Sequence, residues 1–308
     1  MIIKTDDIGG IRPFLDKLYI PPSDSHKGQN GKVLVVGGSS LFYAASIWAA
    51  EVASYFVDMV HYSSTEENNK VFFSLKKRFR NGMVIHKKDM LHYIEEDDAV
   101  LIGPGMVRGK RISNIKYQIS NFSRVLTIDD EATYTYVLTK FLVDNFPKKR
   151  FVFDAGALQM MEPEWLLKFK EKPILTPHQL EFEKLFKESI RDKTTEEKAK
   201  TVEMVAKKYR CVILLKARDD IVSDGIKTYI VTGGNAGLTK GGTGDILAGL
   251  SVALYAKNDP KVSAVLASFL LKKTADELFL TRGYWYNSST IIERVLETLN
   301  RLYQKKRR

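Results

Sequence analysis

Lys240-Gly241-Gly242-Thr243-Gly244-Asp245, followed at once by the apolar run Ile246 to Leu254, is the part of this chain best equipped for chemistry. Three glycines let the backbone turn its N–H groups inward, and the helix expected to begin there adds the positive end of its dipole. Such a turn suits an anion, and a phosphate above all. The carboxylate of Asp245 falls in the first turn of that helix, where it can take a proton from a hydroxyl facing the phosphate. The same residues also fit a glycine-rich turn with an N-terminal acid and no chemistry. Two common phosphate motifs are disfavoured. A Walker A loop carries Lys and then Ser or Thr after its last glycine, where this chain has Asp245 and Ile246. The Rossmann spacing of glycines is met neither here nor at Gly103-Pro104-Gly105-Met106-Val107-Arg108-Gly109.

Five further polar motifs follow short apolar runs: Gly37 to Ser40, Gly103 to Gly105, Asp154 to Gly156, Thr176 to Glu181, and Lys216 to Asp220. Open α/β sheets bind ligands outside the carboxyl ends of their strands, so these loops and the glycine turn are expected to meet in one cleft.

The elements that must position them alternate. Val33 to Val36 leads into an amphipathic stretch from Ala44 to Val57, Phe151 to Phe153 into Leu158 to Lys170, and Ile174-Leu175 into Glu181 to Lys187. Ala99 to Ile102 and Val212 to Leu215 are further strands, the latter preceded by a charged helix from Thr195 to Tyr209. This rhythm predicts a single α/β domain, a doubly wound, mostly parallel sheet with helices on both faces. Ile221-Val222 and Thr228 to Val231 flank Asp224-Gly225 and predict a hairpin at one sheet edge; after residue 243 the pattern is helical.

With 308 residues and 44% hydrophobic content the chain can bury a large core, and no apolar run approaches the ~18 residues of a membrane span. The N-terminal segment carries Lys4, Asp6 and Asp7 where a signal peptide would be apolar, so a cytoplasmic protein without membrane contact is expected. The lone Cys211 excludes an internal disulfide and a cysteine metal site, and opens an apolar strand. A net charge of +11 fits polyanionic ligands. Part of it is terminal, at Lys305 to Arg308; the clusters Lys76-Lys77-Arg78 with Arg80 and Lys148-Lys149-Arg150 are expected as solvated loop or helix-end charges. No zinc finger, RRM signature or basic heptad accompanies them, so nucleic acid is disfavoured as a partner.

Taken in order, His26-Lys27-Gly28, Gly31 to Ser39, GPG at 103–105, TPHxxE at 176–181, Leu215-Lys216 and GGTGDILAG at 241–249 resemble the ADP/ATP-dependent NAD(P)H-hydrate dehydratases of the ribokinase-like fold. The resemblance implies repair of hydrated NADH or NADPH (NADHX, NADPHX) at the expense of ADP or ATP, by phosphorylation of the hydrate hydroxyl and elimination. It places Ala45, Gly105 and His178 along the hydrated nucleotide, Asp245 as catalytic base, and Lys216, Ala217, Arg218, Asp219, Asp220, Gly242, Thr243 and Gly244 along the adenine nucleotide. Glu181 becomes the residue to hold Mg2+ through water, with a solvated acidic face shared with Glu183 and Glu188 as the competing reading. His178 also fits a helix cap. His26, His61, His86 and His92 read as surface or packing residues, and Trp48, Tyr55 and Phe56 as core or interface. A homo-oligomer is the expected state, an NAD(P)HX epimerase the expected pathway partner, and no fused epimerase domain is expected ahead of the first motif.

Several family positions differ: Ala44-Ala45 for Gly-Ala, Met106 to Arg108 where a glycine is usual, Gly156 for Asp, and Ala217 for Gly. The stretch from Arg124 to Phe146 reads as an added strand and helix. These departures bear on substrate choice. Two other functions use the same parts: a vitamin or sugar kinase, against which His178 stands where many such kinases carry Asn, and a non-enzymatic nucleotide sensor, against which Asp245 stands intact.

Overall fold

The computed structural model describes residues 1–75, 80–109 and 121–306. The basic residues Lys76, Lys77, Arg78, Arg307 and Arg308 lie outside the described residues, as does the side chain of Lys306. Strands β1 (Ile2–Lys4), β2 (Lys32–Val36), β3 (Met59–Ser63), β4 (Gly82–Val84), β5 (Ala99–Ile102), β6 (Arg150–Phe153), β7 (Ile174–Leu175), β8 (Val212–Leu215), β9 (Asp220–Ser223) and β10 (Thr228–Thr232) form one sheet. Their order is β1-β10-β9-β8-β7-β6-β5-β2-β3-β4. All neighbours run parallel except β9, which is antiparallel to β8 and to β10. The chain winds outward from β2 to β4, returns to lay β5 beside β2, and continues the other way. Winding reverses between β2 and β5, which is where a crevice opens in such a sheet.

Successive side chains of a strand point to opposite faces, and here both faces are covered. Val33 and Val35 enter one core with Ile47, Leu250 and Phe269; Leu34 and Val36 enter the other with Leu142, Phe182 and Val205. The first is roofed by α1 (Ile8–Leu15), α2 (Ala44–Ala53), α3 (Glu66–Ser74), α10 (Thr243–Tyr255), α11 (Pro260–Arg282) and α12 (Ser288–Lys306). The second is roofed by α4 (Met90–Glu96), α5 (Phe122–Leu126), α6 (Glu131–Asn145), α7 (Ala155–Met160), α8 (Gln179–Phe186) and α9 (Thr195–Tyr209). Among the described residues no helix is long and apolar enough to cross a membrane. Helix α10 is apolar on nearly every side because α2, α11 and the sheet enclose it. Gly249 lets α2 come close, since a Cβ there would stand 2.5 Å from Ala49 O and from Val52 Cγ1.

The predicted alternation, the hairpin, the charged helix and the helical end are all present. Four expectations change. Leu158 to Lys170 is not one helix: α7 stops at Met160, and a 3₁₀ turn follows over Pro163–Lys168. Glu162, the residue before Pro163, is extended, as the proline ring requires. The stretch from Arg124 to Phe146 holds no added strand; it belongs to two helices, α5 and α6, capped by Asn121 and Asp130. The β9–β10 hairpin is not at the edge, because β1 pairs outside β10. Lys149 and Arg150 are not loosely solvated: Lys149 donates to Glu95 O and Asp97 O, and Arg150 to Tyr255 O and Ala256 O at the carboxyl end of α10. Cys211 is buried, and burial pushes its thiol up to about 12.

Candidate active site

The glycine turn is held by its own side chains. Lys240 Nζ donates to Tyr284 O and Tyr286 O at 2.6 and 2.5 Å, and Thr243 Oγ1 donates to Leu238 O and Lys240 O at 2.8 and 3.0 Å. Gly242 caps α10 with φ 95°, and a Cβ there would overlap the Trp48 ring and Ser288 Oγ. Trp48 is thus a packing residue of the turn. What the turn offers a ligand is backbone: Gly244 and Asp245 stand in the first turn of α10, where N–H groups lack helical carbonyl partners, while the Thr243 N–H reaches Lys240 O at 3.5 Å.

Asp245 lies beside a buried ion pair. Lys216 Nζ, just past β8, sits 2.8 Å from Asp154 Oδ1 and 4.0 Å from Glu181 Oε2. Asp154 Oδ1 also accepts from Thr176 Oγ1 at 2.7 Å. Burial works to lower the Lys216 ammonium, but Asp154, Glu181 and Asp245 outweigh it and its pKa is raised. Among the described residues Asp245 has no such ion-pair partner: burial, then the negative charge of Asp154, push its carboxyl up to about 7, against the pull of Lys216. A carboxylate with a pKa near 7 is poised to act as a base at neutral pH.

His178 satisfies both of its readings. Its Nδ1 accepts from the Glu181 N–H at 3.2 Å while Glu181 Oε2 accepts from the His178 N–H at 2.9 Å, a reciprocal cap on α8. Its ring is 45% exposed and lines the cavity described next. Burial lowers its pKa, so the neutral ring carries its proton on Nε2. Glu181 does not belong to a solvated face. It is 4% exposed, and Gln159 Nε2 donates to its Oε1 at 2.9 Å, while Arg108 donates to Gln159 Oε1 at 3.1 Å. Glu183 is also engaged rather than solvated, accepting from the Ile190 N–H at 2.8 Å and from Arg191 Nε at 2.7 Å.

A cavity of about 1070 Å³ opens between the Lys216–Asp220 turn, the Gly233-Gly234 loop and the first turn of α10. Of the residues expected along the adenine nucleotide, Lys216, Ala217, Arg218, Asp219, Thr243 and Gly244 line it; Gly242 packs against Trp48. Asp220 borders it, yet its carboxylate is occupied: Oδ1 accepts from the Ala217 N–H at 3.0 Å and Oδ2 from Ser268 Oγ at 2.7 Å. Its part is to shape the turn. Two residues one helical turn apart on α11 brace the walls. Lys272 Nζ donates to Arg218 O at 2.7 Å, and Asp276 Oδ2 accepts from the Gly234 N–H at 3.1 Å and from Thr5 Oγ1 at 2.5 Å.

Ala45 and Gly105 do come together. A Cβ on Gly105 would stand 3.2 Å from Ala45 Cβ and 2.5 Å from Phe42 O. Ala45 is one turn ahead of Trp48 on α2, so this face adjoins the glycine turn. With φ at 70°, Gly105→Ala is expected to lower stability by about 1–2 kcal/mol and displace the 41–43 loop. Thermal melting and substrate KM measured together check this; an unchanged melting temperature is the contrary outcome. Two of the departures from the family pattern touch one another: a Cβ on Gly156 would overlap Met106 O, so an Asp at 156 has no room beside this chain's 105–107 backbone.

Sequence reasoning missed the Asp154–Lys216 pair, the Arg108-Gln159-Glu181 chain and the Lys272 brace. Only Asp154 had a signal, as the last residue before a cleft loop.

The sequence profile described as NAD(P)H-hydrate dehydratase matches residues 33–297. The chain is 32% identical to the bifunctional NAD(P)H-hydrate repair enzyme Nnr of Methanocaldococcus jannaschii, over 90% of this chain and 50% of that protein. It is also 32% identical to the ADP-dependent (S)-NAD(P)H-hydrate dehydratase of Nitrosopumilus maritimus, over 83% and 84% of the two chains. The chain spans about half the length of the bifunctional relatives. The ADP/ATP-dependent NAD(P)H-hydrate dehydratase of Bacillus subtilis, crystallised with ATP/Mg2+, shares the fold with a TM-score of 0.75 at 21% identity, over 96% of this chain and 97% of that one.

Proposed function

The chain belongs to the NAD(P)H-hydrate dehydratase family, and from that premise we propose that it dehydrates (S)-NADHX or (S)-NADPHX to NADH or NADPH at the expense of ADP or ATP. The observation that carries this reading is Asp245. It combines the first turn of α10, a sequence neighbour, Gly244, that lines the cavity, and a pKa of about 7 set by burial and by Asp154 against Lys216.

In the proposed reaction Asp245 takes the proton of the hydrate hydroxyl, whose oxygen attacks the terminal phosphorus of the bound nucleotide. The bond to the bridging oxygen breaks and AMP or ADP leaves. The new phosphate ester then departs as phosphate when its carbon–oxygen bond breaks, and the neighbouring ring carbon gives up a proton to restore the dihydronicotinamide. The N–H groups of Gly244 and Asp245, with the dipole of α10, stabilise charge on the transferring phosphoryl group. Lys216 keeps the cluster near Asp245 from accumulating negative charge.

Mg2+ binds through one or two carboxylates while keeping waters and phosphate oxygens, and Glu181 fits as such a carboxylate because it is held in place by Gln159 and by its own helix cap. Its chemistry would be to neutralise phosphate charge. Among the described residues no three His, Cys, Asp or Glu side chains form a cage for a metal. Turnover is therefore expected to vanish in excess chelator and return with added Mg2+, and Glu181→Gln should raise the Mg2+ concentration needed for half-maximal rate. Full activity in chelator would remove the metal from the scheme. The decisive assay supplies hydrated NADH or NADPH, Mg2+ and ADP or ATP and follows the return of dihydronicotinamide absorbance; a phosphorylated stable product instead would mark a kinase.

A further inference from the structure

A second cavity, of about 390 Å³, lies at the carboxyl ends of β2 and β3. It joins the substrate face directly: Gly38 lines it, and a Cβ on Gly105 would stand 3.2 Å from Gly38 Cα. Pockets of this size hold small organic ligands. Its chemistry is unlike the rest of the molecule. In a chain of net charge +11, the described residues of its wall carry four carboxylates and one ammonium. Glu66 and Glu67 start α3, and Asp129 and Glu131 stand across from them at the start of α6. Glu131 is engaged with Ser40, accepting from its N–H at 2.7 Å and its hydroxyl at 2.9 Å. Lys87, the one cation among the described residues of the wall, lies 4.3 Å from the centre of the Tyr134 ring, and its charge is already faced by Glu131, Glu67 and Glu66.

Helix-terminal acids are common and by themselves mean little. The walls, however, also carry buried hydroxyls with nothing to bond. Ser63 is 0% exposed and lines the cavity, and its Oγ has no partner; the Tyr134 hydroxyl, also in the wall, has none. A buried hydroxyl left unpaired is costly, and a ligand hydroxyl would relieve it. Carboxylates that accept, hydroxyls that donate and accept, and, among the described residues of the wall, no uncommitted cation are a combination that suits a sugar diol and opposes a phosphate.

Resting on the function proposed above, we propose that this cavity takes the ribose of the dinucleotide remote from the hydrated ring, and that Glu66, Glu67 and Ser63 thereby select the hydrate lacking a 2′-phosphate, NADHX over NADPHX.

The test measures kcat/KM for both hydrates with saturating ADP or ATP. NADHX is expected to be favoured by about tenfold or more, and the double variant Glu66→Gln/Glu67→Gln to bring the ratio within about threefold, chiefly by lowering KM for NADPHX. Ser63→Ala should raise KM for NADHX severalfold while the melting temperature stays level or rises, because removing an unpaired buried hydroxyl does not weaken the fold. A ratio near one in the wild type, a ratio the double variant leaves alone, or a Ser63→Ala protein with lower stability and unchanged KM overturns the assignment. Absence of turnover with either hydrate defeats the proposed function instead. Calorimetry with NADH and NADPH then still decides the cavity: tighter NADH supports it, and equal affinity overturns it.

Discussion

Asp245→Asn is expected to reduce turnover by about 10²–10⁴-fold, the usual contribution of a positioned base, while ADP or ATP binding survives. The groups that would meet the phosphates are backbone N–H groups and the dipole of α10, which the substitution leaves in place. The wild-type rate should rise with pH through about 7, because the base works only when ionised and its carboxyl is pushed up to about 7. Stability should run the other way. A carboxyl of ordinary pKa near 4 when unfolded and about 7 when folded binds more protons in the folded state between those values, so the fold weakens as pH climbs through that window. The Asn variant does not titrate there, so above pH 7 it should melt higher than the wild type, by about 1–3 kcal/mol, and match it near pH 4. Calorimetry of nucleotide binding, a pH–rate profile and melting at several pH values decide the matter. Loss of nucleotide binding in a folded variant would make Asp245 structural, and turnover near the wild-type rate would end the proposed mechanism.

Lys216→Met carries the largest expected cost in stability. Its ammonium is the cation beside Asp154, Glu181 and Asp245, and with it gone Asp154 keeps, among the described residues, the Thr176 hydroxyl. Removing one partner of a buried pair typically costs about 3–5 kcal/mol. The deficit should be greatest near pH 8 and shrink toward pH 5 as Asp245 protonates, and the rising limb of the pH–rate profile should move above 7, since Lys216 is the group that pulls Asp245 down. Denaturant unfolding at both pH values measures it. A deficit equal at pH 5 and pH 8 would assign it to lost packing of the lysine stem, and an unshifted pH–rate limb would separate Lys216 from the base.

The sequence made the centre of the sheet legible because β2, β5, β6 and β8 are buried on both faces and carry unbroken apolar runs. It hid β3, whose Met59-Val60-His61-Tyr62-Ser63 mixes in polar residues that are nonetheless buried, His61 against Asp97 at 2.9 Å. Strands β1 and β4 are three residues each and too short for any period to register. Within the site, the motifs that end strands were readable because their chemistry is local: the glycine turn, TPHxxE, Lys216. Arg108, Gln159 and Lys272 were not, since each acts across the fold on a residue 22 to 54 positions away. Asp220 shows the reverse error: its place in a ligand loop is plain from sequence, while the bonds to Ala217 and Ser268 that occupy it are not.

Lys272 and Asp276 fasten two loops that border one cavity to a single turn of α11, a helix whose inner side lies in the main core. The conformational entropy of those loops is therefore surrendered when the chain folds, and little is left for a nucleotide to take away when it arrives. Affinity on this side of the site then reflects contacts made more than ordering imposed. It also becomes heritable through α11, so that substitutions buried well away from any phosphate can retune nucleotide affinity without touching a residue that meets the ligand.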